Sequence, residues 1–155
     1  MNRLLGRATG FAIVLALSLL ALPTPLRAQD ARIRLEPPAE GEFILDKAGI
    51  VGDGDAEKIR QISATLLKEH ATPIILVTIE STAQYSDVAH RIEPFATMLF
   101  NQWQIGHARL GEQEWNTGIL LLVSVGDRKA RIELGAGWGR EQDQVCQRIM
   151  DDRII

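Results

Sequence analysis

Cysteine is almost missing from this chain. Cys146 is the only one in 155 residues, so no intrachain disulfide can form. Histidine is scarce as well: His70, His90 and His107 stand far apart. One thiol and three scattered imidazoles lack the ligand spacing of a structural zinc site. No serine sits in a G-x-S-x-G elbow, and no His is placed to complete a triad with Ser81, Ser86 or Ser124. Basic residues are in the minority, 17 Lys and Arg against 20 Asp and Glu, a net charge of −3. An acidic chain gains nothing from phosphate backbones, which excludes nucleic acid as an expected partner. There is no internal repeat and no low-complexity tract. What remains is ordinary: 46% apolar and 24% charged residues, the composition of one globular domain.

Long apolar runs are also lacking. The longest, Phe11 to Leu22, has 12 residues, short of the roughly 20 that span a bilayer. Arg3 and Arg7 precede it, Pro23 and Pro25 end it, and Leu26-Arg27-Ala28 offers a cleavage point before Gln29. Basic, apolar and small residues in that order describe a secretory signal over residues 1–28. The expected location is therefore exported, in a bacterial periplasm, with an uncleaved N-terminal anchor as the alternative. Three basic residues lie before Gln29, so 14 basic and 20 acidic residues remain after cleavage, a net of −6. Such a surface suits a cation, a basic partner, or solubility alone.

Gln29 to Glu42 is polar and holds Pro37-Pro38, which reads as a linker or arm. Phe43-Ile44-Leu45 is a short strand ending at Asp46, followed by a turn-rich loop to Gly54. A helix follows, capped by Gly52 or Asp53, with Ala56, Ile59, Ile62 and Leu66 as its stripe. Ile74 to Ile79 and Ile119 to Val125 are aliphatic runs of the kind that form strands buried on both faces. Between them, Val88, Ile92, Phe95, Leu99 and Trp103 mark a helix starting at Ser86 or Asp87, with a kink expected at Pro94. At that spacing Met98, Phe100 and Trp103 are core rather than a cofactor stripe. Gln104 to Asn116 reads as a polar connection. Gly126-Asp127 is a turn, Ala130 to Leu134 a partner strand, and a last helix begins near Gln142. The order β-α-β-α-β-β-α predicts a three-layer α/β/α sandwich on a mostly parallel sheet of about four strands, the last antiparallel.

Two groups of residues could carry chemistry. Asp46, Glu80 and Asp127 each follow a strand, and parallel strands would bring them to one edge of the sheet. Hard oxygen ligands there could hold Ca²⁺ or Mg²⁺, or the carboxylates could be solvated loop caps. Arg128 beside Asp127 could hold an anion or pair with a carboxylate. The second group is the loop Gly135-Ala136-Gly137-Trp138-Gly139. Arg140 stands where a dinucleotide fingerprint needs its third Gly, so the glycines read as a backbone bend and Trp138 as its cover. No organic cofactor is expected.

The stretch Phe95 to Trp138 resembles the TPM domain family. The matching positions are Phe100, Trp103, Ile105, Gly106, Gly118, Asp127, Arg128, Arg131, Ile132, Glu133, Gly135 and Gly137. Upstream, Leu45-Asp46-Lys47-Ala48-Gly49-Ile50-Val51 is similar to the family's Asp-x-x-Gly-hydrophobic start. The resemblance covers about Glu42 to Ile155 and implies an α/β/α sandwich in an exported or lumenal compartment. It also implies a divalent-cation site in many members, an acid phosphatase activity in some, and a broader association with membrane-protein maintenance. On that basis Asp46, Glu80 and Asp127 are the expected metal ligands. Arg128, Arg131, Asn116, Gly118, Gly135 and Gly137 form an anion-binding or structural motif.

This sequence departs from the family pattern at three points. Asn116-Thr117-Gly118 replaces Asp/Asn-Asn-Gly, which removes or weakens an acidic ligand. Trp138-Gly139 replaces Leu-Glu, with Glu141 or Asp143 as substitutes. The sequence stops at Ile154-Ile155, where the family continues with a proline, a covering helix and a membrane span or Gly-rich tail, so the expected domain at 43–155 lacks its C-terminal helix. The resulting expectation is an exported cation-binding domain acting through an envelope or membrane-protein partner. A metal-dependent acid phosphatase and an ion-free interaction module are the alternatives. A parallel third strand also places Asn116 and the glycine loop at the edge opposite Asp46. The two motif groups then form separate sites unless residues 104–116 fold back.

Overall fold

The computed structural model describes residues 32–110, 113–139 and 141–153; the leader read at residues 1–28 lies outside them. Strand β1 (Ile44–Asp46) leads to helix α1 (Asp53–His70) and strand β2 (Ile74–Ile79). Helix α2 (Ile92–Gln102) precedes a hairpin of β3 (His107–Leu110) and β4 (Gln113–Asn116). Strands β5 (Ile119–Ser124) and β6 (Lys129–Leu134) and helix α3 (Glu141–Arg153) complete the chain. The main sheet has the order β1-β2-β5-β6, with β1, β2 and β5 parallel and β6 antiparallel to β5. This is the expected α/β sandwich. Among the described residues no helix is long and apolar enough to cross a membrane.

The sheet's two faces differ. Leu45, Val77 and Leu122 share one row of the register, Ile75 and Leu120 the next, and these side chains meet α2. Val77, Ile79, Leu120 and Leu122 cluster there with Phe95, Ala96, Leu99 and Phe100, all buried. Each large side chain buried this way contributes about 1.5–3 kcal/mol. On the other face α1 lies over β1 and β2, closing off Leu76 and Thr78. Ile119, Leu121 and Val123 on that face stay half-buried.

Four local expectations change. Helix α2 begins at Ile92, with Arg91 as its cap, and not at Ser86 or Asp87. The buried Ser86 hydroxyl instead accepts from the amides of Val88 (3.2 Å) and Ala89 (2.9 Å), forming a separate turn. Pro94 is therefore the third helical residue, where its missing N–H has no intrahelical partner to lose, and no kink is needed. In α1 the inward stripe is Ala56, Ile59, Ser63 and Leu66, while Ile62 is 57% exposed. The segment 104–116, read as a connection, holds the β3–β4 hairpin. His-Ala-Arg-Leu and Gln-Glu-Trp-Asn carry too little apolar alternation to announce it.

The polar stretch before β1 is a docked arm. Ile33 and Leu35 are buried in the α2 core. The Gln102 side-chain amide accepts from the Ile33 amide and donates to its carbonyl, both at 2.9 Å. The Trp103 indole donates to Leu35 O (3.1 Å), and the Arg34 amide donates to Tyr85 O (2.8 Å).

Candidate functional site

The register sets two opposed edges. Asp46 pairs with Thr78, and Ile79 with Ser124, so Asp46, Glu80 and Asp127 lie at the C-terminal edge of the parallel strands, as expected. Open α/β sheets bind ligands at this edge. The Thr78 hydroxyl donates to Asp46 Oδ1. The amide of Ile50 donates to the same oxygen (3.2 Å), and that of Val51 to Oδ2 (2.9 Å). Burial pushes the Asp46 carboxyl up. The Thr78 hydroxyl and the amides of Val51, Ile50 and Gly49 outweigh that and hold it below the usual aspartate value. The carboxylate thereby folds the loop that delivers Gly52 as the cap of α1.

Asp127 does the same for a second loop. The Thr82 amide donates to its Oδ2 (2.9 Å), the Ser124 hydroxyl donates to Oδ2 (2.7 Å) and the Ser81 hydroxyl to Oδ1 (3.0 Å). The Thr82 amide and Ser124 hydroxyl are the main reasons its carboxyl lies below the usual range, against a smaller opposing effect of burial. Glu80 is exposed, with its carboxylate against Gly126.

The three acids share an edge but do not converge. Thr78 and Ser124 belong to adjacent rows of the register and point to opposite faces. Their carboxylate partners Asp46 and Asp127 are therefore held on opposite faces too. Among the described residues no group of three or more Asp, Glu, His or Cys side chains comes together to hold a metal ion. The donor set does not close around a cation as one site. The hydroxyls that hold the two aspartates, Thr78, Ser81, Thr82 and Ser124, were missed as site residues. For Thr78 and Ser124 the signal is a polar residue within an aliphatic strand run, as in IILVTI and ILLLVS; Ser81 and Thr82, beyond the end of β2, carry no such signal.

Between the ends of β5 and β6 and the start of α2 lies an open crevice of about 490 Å³. Ile50, Ile92, Val123, Val125 and Ala130 supply its apolar lining, and Glu93, Arg128 and Lys129 its charge. Arg128 takes a positive φ of 53° in the turn after β5, a conformation costing a non-glycine residue on the order of 1 kcal/mol. Arg131 is committed elsewhere: its guanidinium pairs with Glu133 (3.1 Å), whose other oxygen accepts from the Thr97 hydroxyl (2.9 Å).

The second group, at the opposite edge, is a backbone junction. Asn116 Oδ1 accepts from the Gly118 amide (3.2 Å), and the Gly135 amide donates to Gly118 O (2.9 Å). A Cβ on Gly135 would overlap the side-chain and backbone oxygens of Asn116, and one on Gly118 would overlap Ile105 O. The Trp138 indole donates to Thr117 O (2.8 Å). Asn116, Gly118, Gly135 and Gly137 thus lock β4, β5 and the loop after β6 together. Among the described residues, 104–110 and 113–116 do not carry this junction across to Asp46.

A family model for the TPM domain matches residues 44–155. Among solved structures, the chain is similar to the N-terminal domain of a protein from P. gingivalis, at 28% identity and a TM-score of 0.61. That match covers 76% of this chain and 69% of the other. The N-terminal domain of a Corynebacterium glutamicum protein shares the fold at 11% identity and a TM-score of 0.56, covering 79% and 73%. No curated protein matches. With the Asp46 loop, the Asp127 turn and the Asn116 glycine junction inside the matched span, the chain belongs to the TPM domain family.

Proposed function

We propose that this TPM domain is an exported interaction module that acts through an envelope or membrane-protein partner. The observation that carries this reading is the state of the two central aspartates. Asp46 and Asp127 accept bonds from strand hydroxyls and loop amides, so each ties a loop to the sheet edge beside the crevice. What they frame is mainly aliphatic, Ile50, Ile92, Val123 and Val125, which suits a partner's side chains better than a phosphoryl group. Export is supported by the order of charge, apolar run and small residue over residues 1–28.

A crosslinking side chain placed at Val125, which is 37% exposed, tests this in cells. The expected result is one discrete adduct with an envelope or membrane protein. Hydrolysis of p-nitrophenyl phosphate by the purified protein that disappears in a folded Asp46→Asn variant would overturn the reading in favour of a phosphatase.

A divalent cation at Asp46 is the second reading, favoured by one observation. Its carboxylate stays ionised, is only partly buried and takes three of about four acceptor positions' worth of donors. With Asp46 as the one charged ligand, Ca²⁺ or Mg²⁺ binds weakly. A melting temperature that rises with added Ca²⁺, and falls back with EDTA, supports the ion. A melting temperature indifferent to both removes it.

A further inference from the structure

We propose that the crevice at the C-terminal edge accepts an acidic–aliphatic peptide segment of the partner, its aliphatic side chains against Ile50 and Val125 and its carboxylates against Arg128 and Lys129. This rests on the partner-binding reading and adds the partner's chemistry.

The apolar half of the argument is exposure. Ile50 is 53% exposed and Val125 37% exposed, and both line the same crevice as Val123 and Ala130. Aliphatic side chains grouped in a concave site are a binding surface rather than scattered surface residues. The charged half is the rim. Arg128 and Lys129 are exposed, and neither belongs to an ion pair among the described residues. The one carboxylate of the lining, Glu93, lies 3.4 Å from Arg91 and within reach of the charge of Lys129, so the lining holds two cations against one carboxylate on a chain whose net charge is −3. Local charge opposite to the surroundings selects and orients a complementary partner.

The occupant is a peptide rather than a small anion or an acyl chain. Inorganic phosphate would use the two cations and leave the aliphatic floor wet. A fatty acid needs a pocket that encloses most of its surface, whereas the residues here stay open to solvent along one side. An extended segment alternating aliphatic and acidic residues uses both halves of the site.

The test uses the purified protein with a fluorescent peptide of alternating Glu and Leu, and a Lys–Leu peptide as its charge-reversed counterpart. The expected result is saturable binding of the Glu–Leu peptide alone, weakened by added salt. Binding should fall at least about tenfold when Arg128 and Lys129 are both replaced by Glu. An Arg128→Gly, Lys129→Gln pair, which relieves the positive φ, should weaken binding in the same direction and guards against misfolding. Methyl NMR shifts should centre on Ile50, Val123 and Val125. No saturable binding, or binding unchanged in both variant pairs, overturns the proposal. Methyl shifts elsewhere overturn this crevice while leaving a partner-binding domain. Equal shifts at the crevice with inorganic phosphate alone overturn the partner reading as well.

Discussion

The side chain of Gln102 holds both backbone groups of Ile33, accepting from its amide and donating to its carbonyl at 2.9 Å each. One side-chain amide thereby does for the arm what a neighbouring strand does within a sheet. It lets a single extended residue be buried to 2% exposure without leaving polar atoms unpaired. Gln102→Ala therefore removes two partners at once. The expected loss is about 2–3 kcal/mol of unfolding free energy, read from urea denaturation. Gln102→Glu keeps the acceptor but turns a carboxylate oxygen toward Ile33 O, so it should not rescue the loss at neutral pH.

The glycine junction gives a sharper contrast. Gly135→Ala places a methyl group onto Asn116 oxygens, one of them backbone, and backbone cannot move aside cheaply. The expected loss is about 3 kcal/mol or more. Gly54→Ala, in the first turn of α1 with nothing within 4 Å, should instead gain up to about 1 kcal/mol. Thermal unfolding of the two variants beside the parent checks the sign of each.

Helix α1 ends on Ala71 in the left-handed region, φ 51°. The Ala71 amide donates to Leu67 O (3.1 Å) and the Thr72 amide to Leu66 O (3.3 Å), a closure in which glycine is the usual residue. Ala71→Gly removes the Cβ penalty and should stabilise the protein by about 0.5–1 kcal/mol. A shift of the urea midpoint to higher concentration, with unchanged slope, is the outcome to look for.

Asp127 gives a pH prediction. Its folded carboxyl lies below the ordinary aspartate value. Its contribution is complete above that ordinary value and is lost as pH falls through the lower folded value. Asp46 acts in the same direction. Asp127→Asn should destabilise the protein at neutral pH by about 1–3 kcal/mol, because the buried Ser124 hydroxyl and the Thr82 amide lose a charged acceptor. It should also flatten the decline of stability below about pH 4. Denaturant titrations of parent and variant across that range test both effects; parallel curves would remove the linkage.

The class, the family and the edges follow from the residue pattern alone. Two aliphatic runs can satisfy their side chains only as strands buried on both faces. The helical stripe between them supplies the crossover that parallel strands need. From that alone Asp46, Glu80 and Asp127 fall at one edge and Asn116 with Gly135 at the other. What those residues do depends on how the elements pack. Side-chain alternation sends Thr78 and Ser124 to opposite faces, and so separates the two aspartates that a linear reading groups together. The docking of Ile33 and Leu35 was equally illegible, because their partners Gln102 and Trp103 lie 69 and 68 residues away. Periodicity records which way a side chain points along its own element. It does not record what another element brings to meet it.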